Sequence, residues 1–280
     1  MIILKIGGGK AVNVAGVAAD LAAMRQPSVI VHGANAARDE LAARLGLTPR
    51  VVTSASGYAS VLSDERAIDL QLMAYAGLRN KRIVEALQLA GVDAVGMCGL
   101  DGRVIQGRRN RGIRVEEDGR TKVLHDHSGK PQSANVALLG ALLGMGLTPV
   151  LTVPIADEAG AAINAENDDI VAVLQRELRA DVVVQLIEAP GLMRDPADPG
   201  SRIDRADAAE LARWEEAASG RFKRKLLALR RLVEAGAPRV VVADGRGEHP
   251  LADALAGRGT QLTPTAAAGA AAPDGEARRG

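Results

Sequence analysis

The chain has 280 residues, a formal net charge of +1 and a single cysteine. This charge balance gives no support to a general role on nucleic acid or on a membrane surface, and one tryptophan, two tyrosines and one phenylalanine are too few for stacking on single-stranded bases. The lone Cys98 excludes an intramolecular disulfide and fits a reducing compartment. The chain opens on an apolar strand-like run instead of a basic leader, so we expect a cytoplasmic globular protein.

Strand-like and helix-like patterns alternate along most of the chain. Apolar runs typical of buried parallel strands occur at 2–4, 28–32, 92–97, 149–153, 181–187 and 239–243. Helical patterns occur at 12–24, 36–45, 63–76, 80–90, 133–144, 168–178, 226–235 and 251–256. The uncharged stretch 131–156 is interrupted by glycines and prolines, which favours a buried helix followed by a strand over a membrane span.

This alternation predicts an α/β fold, a three-layer α/β/α sandwich with a mostly parallel open sheet. A soft boundary near 168–177 divides it into two lobes, at 1–174 and 175–263. The Ala/Gly/Pro-rich stretch 264–280 predicts a disordered tail. Within the first lobe, 103–126 changes to short strands separated by turns, with Asp118-Gly119 as a hairpin signal.

The first strand ends in a lysine and a run of glycines, Lys5 and Gly7–Gly9. Open α/β sheets bind ligands at the carboxyl ends of their strands, and glycine amides can approach a phosphate closely. The pattern therefore favours phosphate chemistry, although many such turns merely connect a strand to a helix. It matches neither the Walker loop nor the G-x-G-x-x-G dinucleotide fingerprint, because the glycines are consecutive and no GKS or GKT follows.

Two later segments carry charges at predicted helix starts. Ser219–Lys225 (SGRFKRK) places three consecutive cations where the helix dipole disfavours them, which indicates either a bound anion or a solvated basic turn. Asp168 follows Asn164 in AINAENDDIVAVL and is either an ordinary helix-start acid or an acid that orients two lysines. His32, at the end of the second strand, is expected to be structural.

The segment 103–122 is rich in cations, and Arg108, Arg109 and Arg111 lie close together in it. A basic hairpin in a nearly neutral protein is either a local patch that attracts an acidic partner or an ordinary soluble hairpin. His125 and His127 lack further ligands at zinc-like spacing, so we expect no metal site.

These segments together resemble the amino acid kinase family, and within it the acetylglutamate kinase branch. The resemblance rests on KIGGG at the first strand, HG after the second, and the runs SDERAIDLQLMAYAGLRNKRIVEAL, AINAENDDIVAVL and GRFKRKLLAL, in family order from Ile2 to about Leu262. It implies that the first lobe binds an amino-acid acceptor and the second a nucleotide. It also implies transfer of the γ-phosphoryl group of ATP to a side-chain carboxylate, with Mg²⁺ bound through ATP, and a homodimer.

The runs GLDGRVIQGRRNRGIRV and GRFKRK are similar to those of family members in carrier-protein lysine biosynthesis. That resemblance implies an acceptor, 2-aminoadipate or glutamate, held on a small acidic LysW-like amino-group carrier protein. Arg108, Arg109 and Arg111 would then form the carrier-protein patch.

The resemblance also implies roles for single residues. Lys5 and Lys225 match the two phosphate-binding lysines, and Asp168 matches the acid that organises them. Other matching positions are nucleotide- or phosphate-binding at Gly7, Gly8 and Glu188, and substrate-binding at Gly33, Ala34, Asn35, Val61 and Asn164. Three of these regions depart from the family: HGGG or HGGS reads His32-Gly33-Ala34-Asn35, a substrate arginine is replaced by Val61, and a Ser/Thr-Asp/Asn pair is replaced by Ile187-Glu188.

Three alternatives stay open at this point. The first is acetylglutamate kinase of arginine biosynthesis, which performs the same chemistry on a free small molecule. The second is a degenerate homologue that binds carrier or nucleotide without turnover, favoured by the departures at Val61 and Ile187-Glu188. The third, a nicotinamide-binding oxidoreductase, lacks its phosphate fingerprint.

Overall fold

The computed structural model describes residues 1–48, 50–53, 59–117, 120–124, 126–195, 197–218, 220–234 and 236–264. The first half contains β1 (Ile2–Ile6), α1 (Val14–Met24), β2 (Ser28–His32), α2 (Asn35–Arg44), β3 (Val51–Thr53), β4 (Ala59–Val61), α3 (Glu65–Gln71), a π-helical segment (Leu72–Arg79), α4 (Asn80–Leu89), β5 (Ala94–Gly99), β6 (Ile105–Arg109), β7 (Ile113–Glu117), β8 (Arg120–Leu124) and β9 (Gly129–Ala134). The second half contains α5 (Val136–Gly144), β10 (Thr148–Ala156), β11 (Ala162–Ile163), α6 (Asn167–Leu178), β12 (Val182–Ile187), β13 (Arg205–Asp207), α7 (Ala208–Ala217), α8 (Gly220–Glu234), β14 (Val240–Asp244), α9 (Pro250–Leu255) and β15 (Thr260–Thr263).

The large sheet is built around β1, which pairs in parallel with β2 on one side and β12 on the other. Parallel pairing continues outward from β2 to β10 and on to β5 and β6, and from β12 to β14. The antiparallel partners in this sheet are β9, β11 and β15. The prediction of a mostly parallel α/β sheet is confirmed.

The sheet separates two apolar cores. Along β1, Ile3 contributes to one core, whereas Ile2, Leu4 and Ile6 contribute to the other, because successive side chains of a strand point to opposite faces. Helices α1, α4 and α9 cover the second core, and α2, α5, α6, α7 and α8 cover the first. The arrangement is therefore the predicted three-layer sandwich.

The carboxyl ends of the central strands lie along one edge. Ile6 is in register with His32 of β2 and with Leu186 of β12, so the loops that follow all three strands emerge side by side. Ligands of open α/β sheets bind at this edge.

Several predicted elements differ from the structure. The helices predicted at 63–76 and 80–90 form one continuous helical run, with the π-helical segment in its middle. The helix predicted at 133–144 begins only at Val136, because Ser133 and Ala134 pair with β6 and the Asn135 side chain caps the helix by accepting from Leu138 N–H at 3.0 Å. The strand β15, which follows α9, was not predicted.

The segment 103–126 does contain short strands. Strands β7 and β8 pair antiparallel, with Ile113 opposite Leu124 and Glu117 opposite Arg120. The predicted turn at 118–119, His125 and the predicted tail beyond residue 264 lie outside the described residues. No helix in the described ranges combines the length and the apolar character that a membrane crossing requires.

Candidate active site

A lysine and an aspartate meet at the carboxyl edge of the sheet. Lys5 is the fourth residue of β1, and Asp168 lies in the first turn of α6. The Lys5 Nζ atom donates a hydrogen bond to Asp168 Oδ1, and the two side chains are 16% and 24% exposed. Asp168 is thus a helix-start acid that is also paired with one lysine, and its orientation of two lysines stays a prediction.

Lys225, on α8, completes a group of three charges. Burial and the positive charge of Lys5 lower the pKa of Lys225 to about 8, and the negative charge of Asp168 opposes that shift. Lys5 is bonded to the Asp168 carboxylate and Lys225 lies within reach of the charges of both, which leaves net positive charge close to the strand ends. Such a group is suited to binding an anion with several oxygens, for example a phosphate.

The glycine turn after β1 packs against the turn after β2. Gly7 N–H donates to Leu186 O at 2.9 Å, which ties the turn to β12. A Cβ atom on Gly8 would lie 2.8 Å from the backbone nitrogen of Asn35 and 2.9 Å from that of Ala34. Because backbone atoms cannot move aside as the end of a side chain can, only glycine fits at position 8, and the two turns form one surface of backbone amides.

Hydrogen bonds to β1 and to the π-helical segment hold the turn after β2 in place. Gly33 N–H donates to Ile6 O at 3.0 Å, and the Asn35 Oδ1 atom accepts from the hydroxyl of Tyr75 on the π-helical segment. His32 is fully buried, and burial lowers its pKa to about 3. Its Nε2 lies 3.1 Å from Asn80 Nδ2, which donates to it, so His32 is a neutral structural residue.

A polar network surrounds Asn164. Its side-chain Nδ2 donates to Ser63 Oγ at 3.1 Å, and Ser63 N–H donates to Oδ1 of the buried Asp126 at 2.8 Å. The backbone N–H of Asn164 donates to His127 O at 2.7 Å. Val61 ends β4, opposite Val51, two residues before Ser63. The segments that carry Val61 and Asn164 are thus brought to the same region of the protein.

Glu188, which follows β12, lies against the glycine turn. Its Oε1 accepts from Ala11 N–H at 2.6 Å, and a Cβ on Gly9 would overlap its carboxylate at 2.1 Å. Its negative charge also acts on Arg79 and Arg246. The structure therefore places Glu188 beside the predicted phosphate turn.

Sequence reasoning missed Arg79, which ends the π-helical segment. It lines a cleft of about 190 Å³ whose other walls are formed by Gly8, Gly9, Lys10, Ala36, Ala37 and Glu40. Arg79 occurs in LRNKR, which has the pattern of a helix surface, and nothing in that pattern signals a widened helical turn. Tyr75 and Asp126 were missed for the same reason: only their tertiary contacts distinguish them.

In the cation-rich segment 103–122, called the basic segment below, Arg108, Arg109 and Arg111 are not equivalent. Arg108 and Arg111 are exposed, and Arg108 only approaches Glu158, at 3.9 Å. Arg109 Nε donates to Asp126 O at 3.3 Å, and its Nη1 lies 3.8 Å from the buried Asp157. The charge of Arg109 is therefore partly used within the protein. Among the described residues, no group of three or more His, Cys, Asp or Glu side chains could hold a metal ion.

Comparison with known proteins identifies the family. The model of the amino acid kinase family matches residues 1–244. A [LysW]-aminoadipate kinase of Deinococcus radiodurans is 40% identical over 267 residues, 94% of this chain and 91% of that protein. One of Thermus thermophilus is 38% identical over 266 residues, 93% of this chain and 99% of that protein.

Among solved structures, an N-acetylglutamate synthase of Neisseria gonorrhoeae complexed with coenzyme A and N-acetyl-glutamate superposes with a TM-score of 0.75 at 24% identity, over 95% of this chain. This chain spans 59% of that synthase, and the likeness concerns the fold. The matched family model, which covers the residues that carry Lys5, Asp168 and Lys225, establishes that the chain belongs to the amino acid kinase family.

Proposed function

We propose that this protein is an ATP-dependent kinase that phosphorylates the side-chain carboxylate of 2-aminoadipate or glutamate held on a small acidic LysW-like carrier protein. The observation that carries the proposal is the group Lys5, Asp168 and Lys225 beside the two packed glycine turns. The names of the relatives at 38% and 40% identity support the acceptor class and, with it, a role in lysine biosynthesis. An acetylglutamate kinase among the relatives supports arginine biosynthesis as the neighbouring role.

In the proposed reaction no side chain of the protein forms or breaks a covalent bond. A side-chain carboxylate is already ionised at neutral pH, so no general base is needed. Its oxygen forms a bond to the γ-phosphorus of ATP while the bond from that phosphorus to the β–γ bridging oxygen breaks, which gives an acyl phosphate and ADP. Alignment and neutralisation of the phosphoryl charge therefore account for the catalysis.

Lys5 and Lys225 bind phosphate oxygens from opposite lobes in this proposal, and Asp168 holds both ammonium groups in place. Gly7 and Gly8 present backbone amides to the phosphates. The lobe 175–263 binds the nucleotide, and Glu188 shapes the nucleotide side of the glycine turn through its bond to Ala11. A carboxylate would repel a phosphate, so Glu188 acts on the turn and not as a phosphate ligand.

The acceptor lies on the side of the first lobe, 1–174. The residues assigned to it are Gly33, Ala34, Asn35, Val61 and Asn164. Asn164 offers an amide that Ser63 and Asp126 already orient, whereas Val61 supplies no cation for a free carboxylate. An acceptor whose amino group is fixed on a carrier can instead be positioned through the carrier, and the exposed Arg108 and Arg111 supply positive charge for an acidic carrier.

Three further features belong to the same proposal. Mg²⁺ enters on the phosphate oxygens of ATP, since Asp168 is already paired with Lys5. The protein acts in the cytoplasm, which fits its single free and buried Cys98, and on neither nucleic acid nor membrane. It forms a homodimer, supported by the half-exposed Met73 and Leu78 on one helical run.

The experiment is ADP release with Mg-ATP and three acceptors: carrier-bound 2-aminoadipate, carrier-bound glutamate and free N-acetylglutamate. Turnover with a carrier-bound acceptor alone supports the proposal and identifies the amino acid. Turnover with N-acetylglutamate alone assigns the protein to arginine biosynthesis instead. ATP binding without turnover on any acceptor indicates the non-catalytic homologue.

Matched lysine variants test the site itself. We expect K5A and K225A to abolish turnover while the thermal unfolding midpoint stays close to that of the parent. The control is K81A, since Lys81 is exposed on α4 and donates only to Gly96 O. Near-normal kcat in K5A or K225A would refute the assignment.

A further inference from the structure

The π-helical segment places two polar side chains at the glycine turns. Tyr75 donates to Asn35, and Arg79, four residues later, lines the cleft against Gly8 and Gly9. A π-helical turn is wider than an α-helical turn, is rare, and occurs often at functional sites. The π-helical segment thus ends in an arginine that lies at the site and that the helical sequence pattern does not predict.

The guanidinium of Arg79 is half-buried and lacks a full set of hydrogen-bond partners among the described residues. Its Nη2 atom has no hydrogen-bond partner among the described residues and is closed off from solvent. Burial lowers the pKa of Arg79, and the charge of Glu188 only partly offsets that effect. A buried cationic donor without an acceptor costs folding free energy, and an incoming anion would remove that cost.

The two other charged side chains that line the cleft with Arg79 neutralise each other. Lys10 and Glu40, which line the same cleft, pair with each other at 2.9 Å, and both are largely exposed. The Lys10 charge lowers the pKa of Glu40 and so keeps that carboxylate ionised. The cleft therefore combines the neutralised Lys10–Glu40 pair with the half-buried guanidinium of Arg79, and the glycine turn lines the same cleft.

We propose that Arg79 binds the terminal phosphate group of the nucleoside triphosphate. Gly8 belongs both to this cleft and to the surface of amides formed with Ala34 and Asn35, so a phosphate on that surface lies next to the guanidinium. Arginine presents a rigid fork of donors that matches phosphate oxygens, and its charge persists at any physiological pH. The inference rests on the proposed function, because it takes the bound phosphate to be that of the donor.

Binding of two nucleotides separates this role from a structural one. We expect R79Q to raise the dissociation constant of AMP-PNP by about tenfold or more and that of ADP by less than about twofold, since only AMP-PNP carries the third phosphate. R79K, which keeps the charge but loses the fork, should fall between R79Q and the parent. The measurement is isothermal titration calorimetry with Mg²⁺ present.

The matched control is R82Q, three residues further along the chain. Arg82 is exposed and pairs with Glu85 at 2.7 Å, so its removal should change neither dissociation constant. An equal change in the dissociation constants of both nucleotides in R79Q, or no change in either, would overturn the role of Arg79. The kinase assignment would still stand. Failure of the unsubstituted protein to bind either nucleotide would overturn both proposals. Thermal unfolding of each variant checks the fold, and R79Q should not be less stable, because it removes an unpartnered buried cation.

Discussion

Lys5 and Asp168 form an ion pair although 163 positions separate them in the chain. The pair joins the end of the central strand to the first turn of α6, at the edge where the loops after β1, β2 and β12 emerge. Burial and the charge of Lys5 lower the pKa of Lys225, and the charge of Asp168 raises it, so Lys225 interacts with both residues of the pair. The proposal that Asp168 positions both ammonium groups can therefore be tested at this one carboxylate.

Replacing Asp168 by asparagine keeps the size of the side chain and removes its charge. We expect D168N to lower kcat by about 100-fold or more, since the lysines then repel each other without a shared carboxylate. The neighbouring variant D169N is the control, because Asp169 only approaches Arg231, at 3.8 Å. Steady-state ADP release measures both, and a D168N enzyme that keeps kcat within about threefold would contradict the role.

The lowered pKa of Lys225 predicts that nucleotide binding depends on pH. With a pKa of about 8, the ammonium form is populated below pH 8 and is lost as the pH rises through that value. A bound phosphate restores the higher pKa, so ATP binding should take up about half a proton at pH 8 and almost none at pH 6.5. Affinity should fall above pH 8.

Calorimetry in two buffers of different ionisation enthalpy measures this proton uptake. K225R is the matched variant, because arginine stays protonated throughout the range, and we expect it to show no such uptake. Equal proton uptake by the unsubstituted protein and K225R would assign the linkage to another group.

The parts of the site that the sequence predicted are those set by short segments. Ile2–Leu4 followed by Lys5 and the glycines specifies a buried strand, a cation at its end and an open turn within one stretch of chain. The parallel sheet followed from the alternation of strand and helix patterns. The family resemblance was needed to favour a link between Asp168 and Lys5, because nothing local connects α6 with β1.

The parts that the sequence did not predict depend on packing between distant segments. The π-helical turn that ends at Arg79 has no hydrophobic period of its own, so that arginine looked like a surface residue. The Asp126–Ser63–Asn164 network exists only where three separate loops meet. Likewise, Glu188 reaches the glycine turn only because β12 lies beside β1.

Gly8 is expected to tolerate no side chain. In G8A the new methyl group would meet the backbone nitrogens of Ala34 and Asn35, so we expect a loss of about 1–3 kcal/mol in the free energy of unfolding together with weaker ATP binding. The control is G140A in α5, where a Cβ would meet no atom within 4 Å outside the adjacent helix backbone, and it should raise stability by about 0.5–1 kcal/mol. Urea unfolding and nucleotide titration measure both effects, and a G8A protein of parental stability would show that the two turns are not rigidly packed.

The exposed arginines of the basic segment predict how the carrier is recognised. We expect the double variant R108E/R111E to raise the KM for a carrier-bound acceptor by about tenfold or more, while kcat and the KM for ATP change little, since the substitution repels an acidic partner without touching the phosphate site. The effect should shrink at high salt, because exposed charges are screened.

The control for charge reversal elsewhere is R82E, on α4. Arg109 is left unchanged in this test, because its one hydrogen bond to the backbone oxygen of Asp126 and its approach to Asp157 make it part of the structure around Asn164. An unchanged KM for the carrier in R108E/R111E would remove the basic segment from recognition. The carrier would then have to bind elsewhere. A loss of stability in R109Q together with a higher KM for the acceptor would confirm that Arg109 serves the acceptor pocket instead.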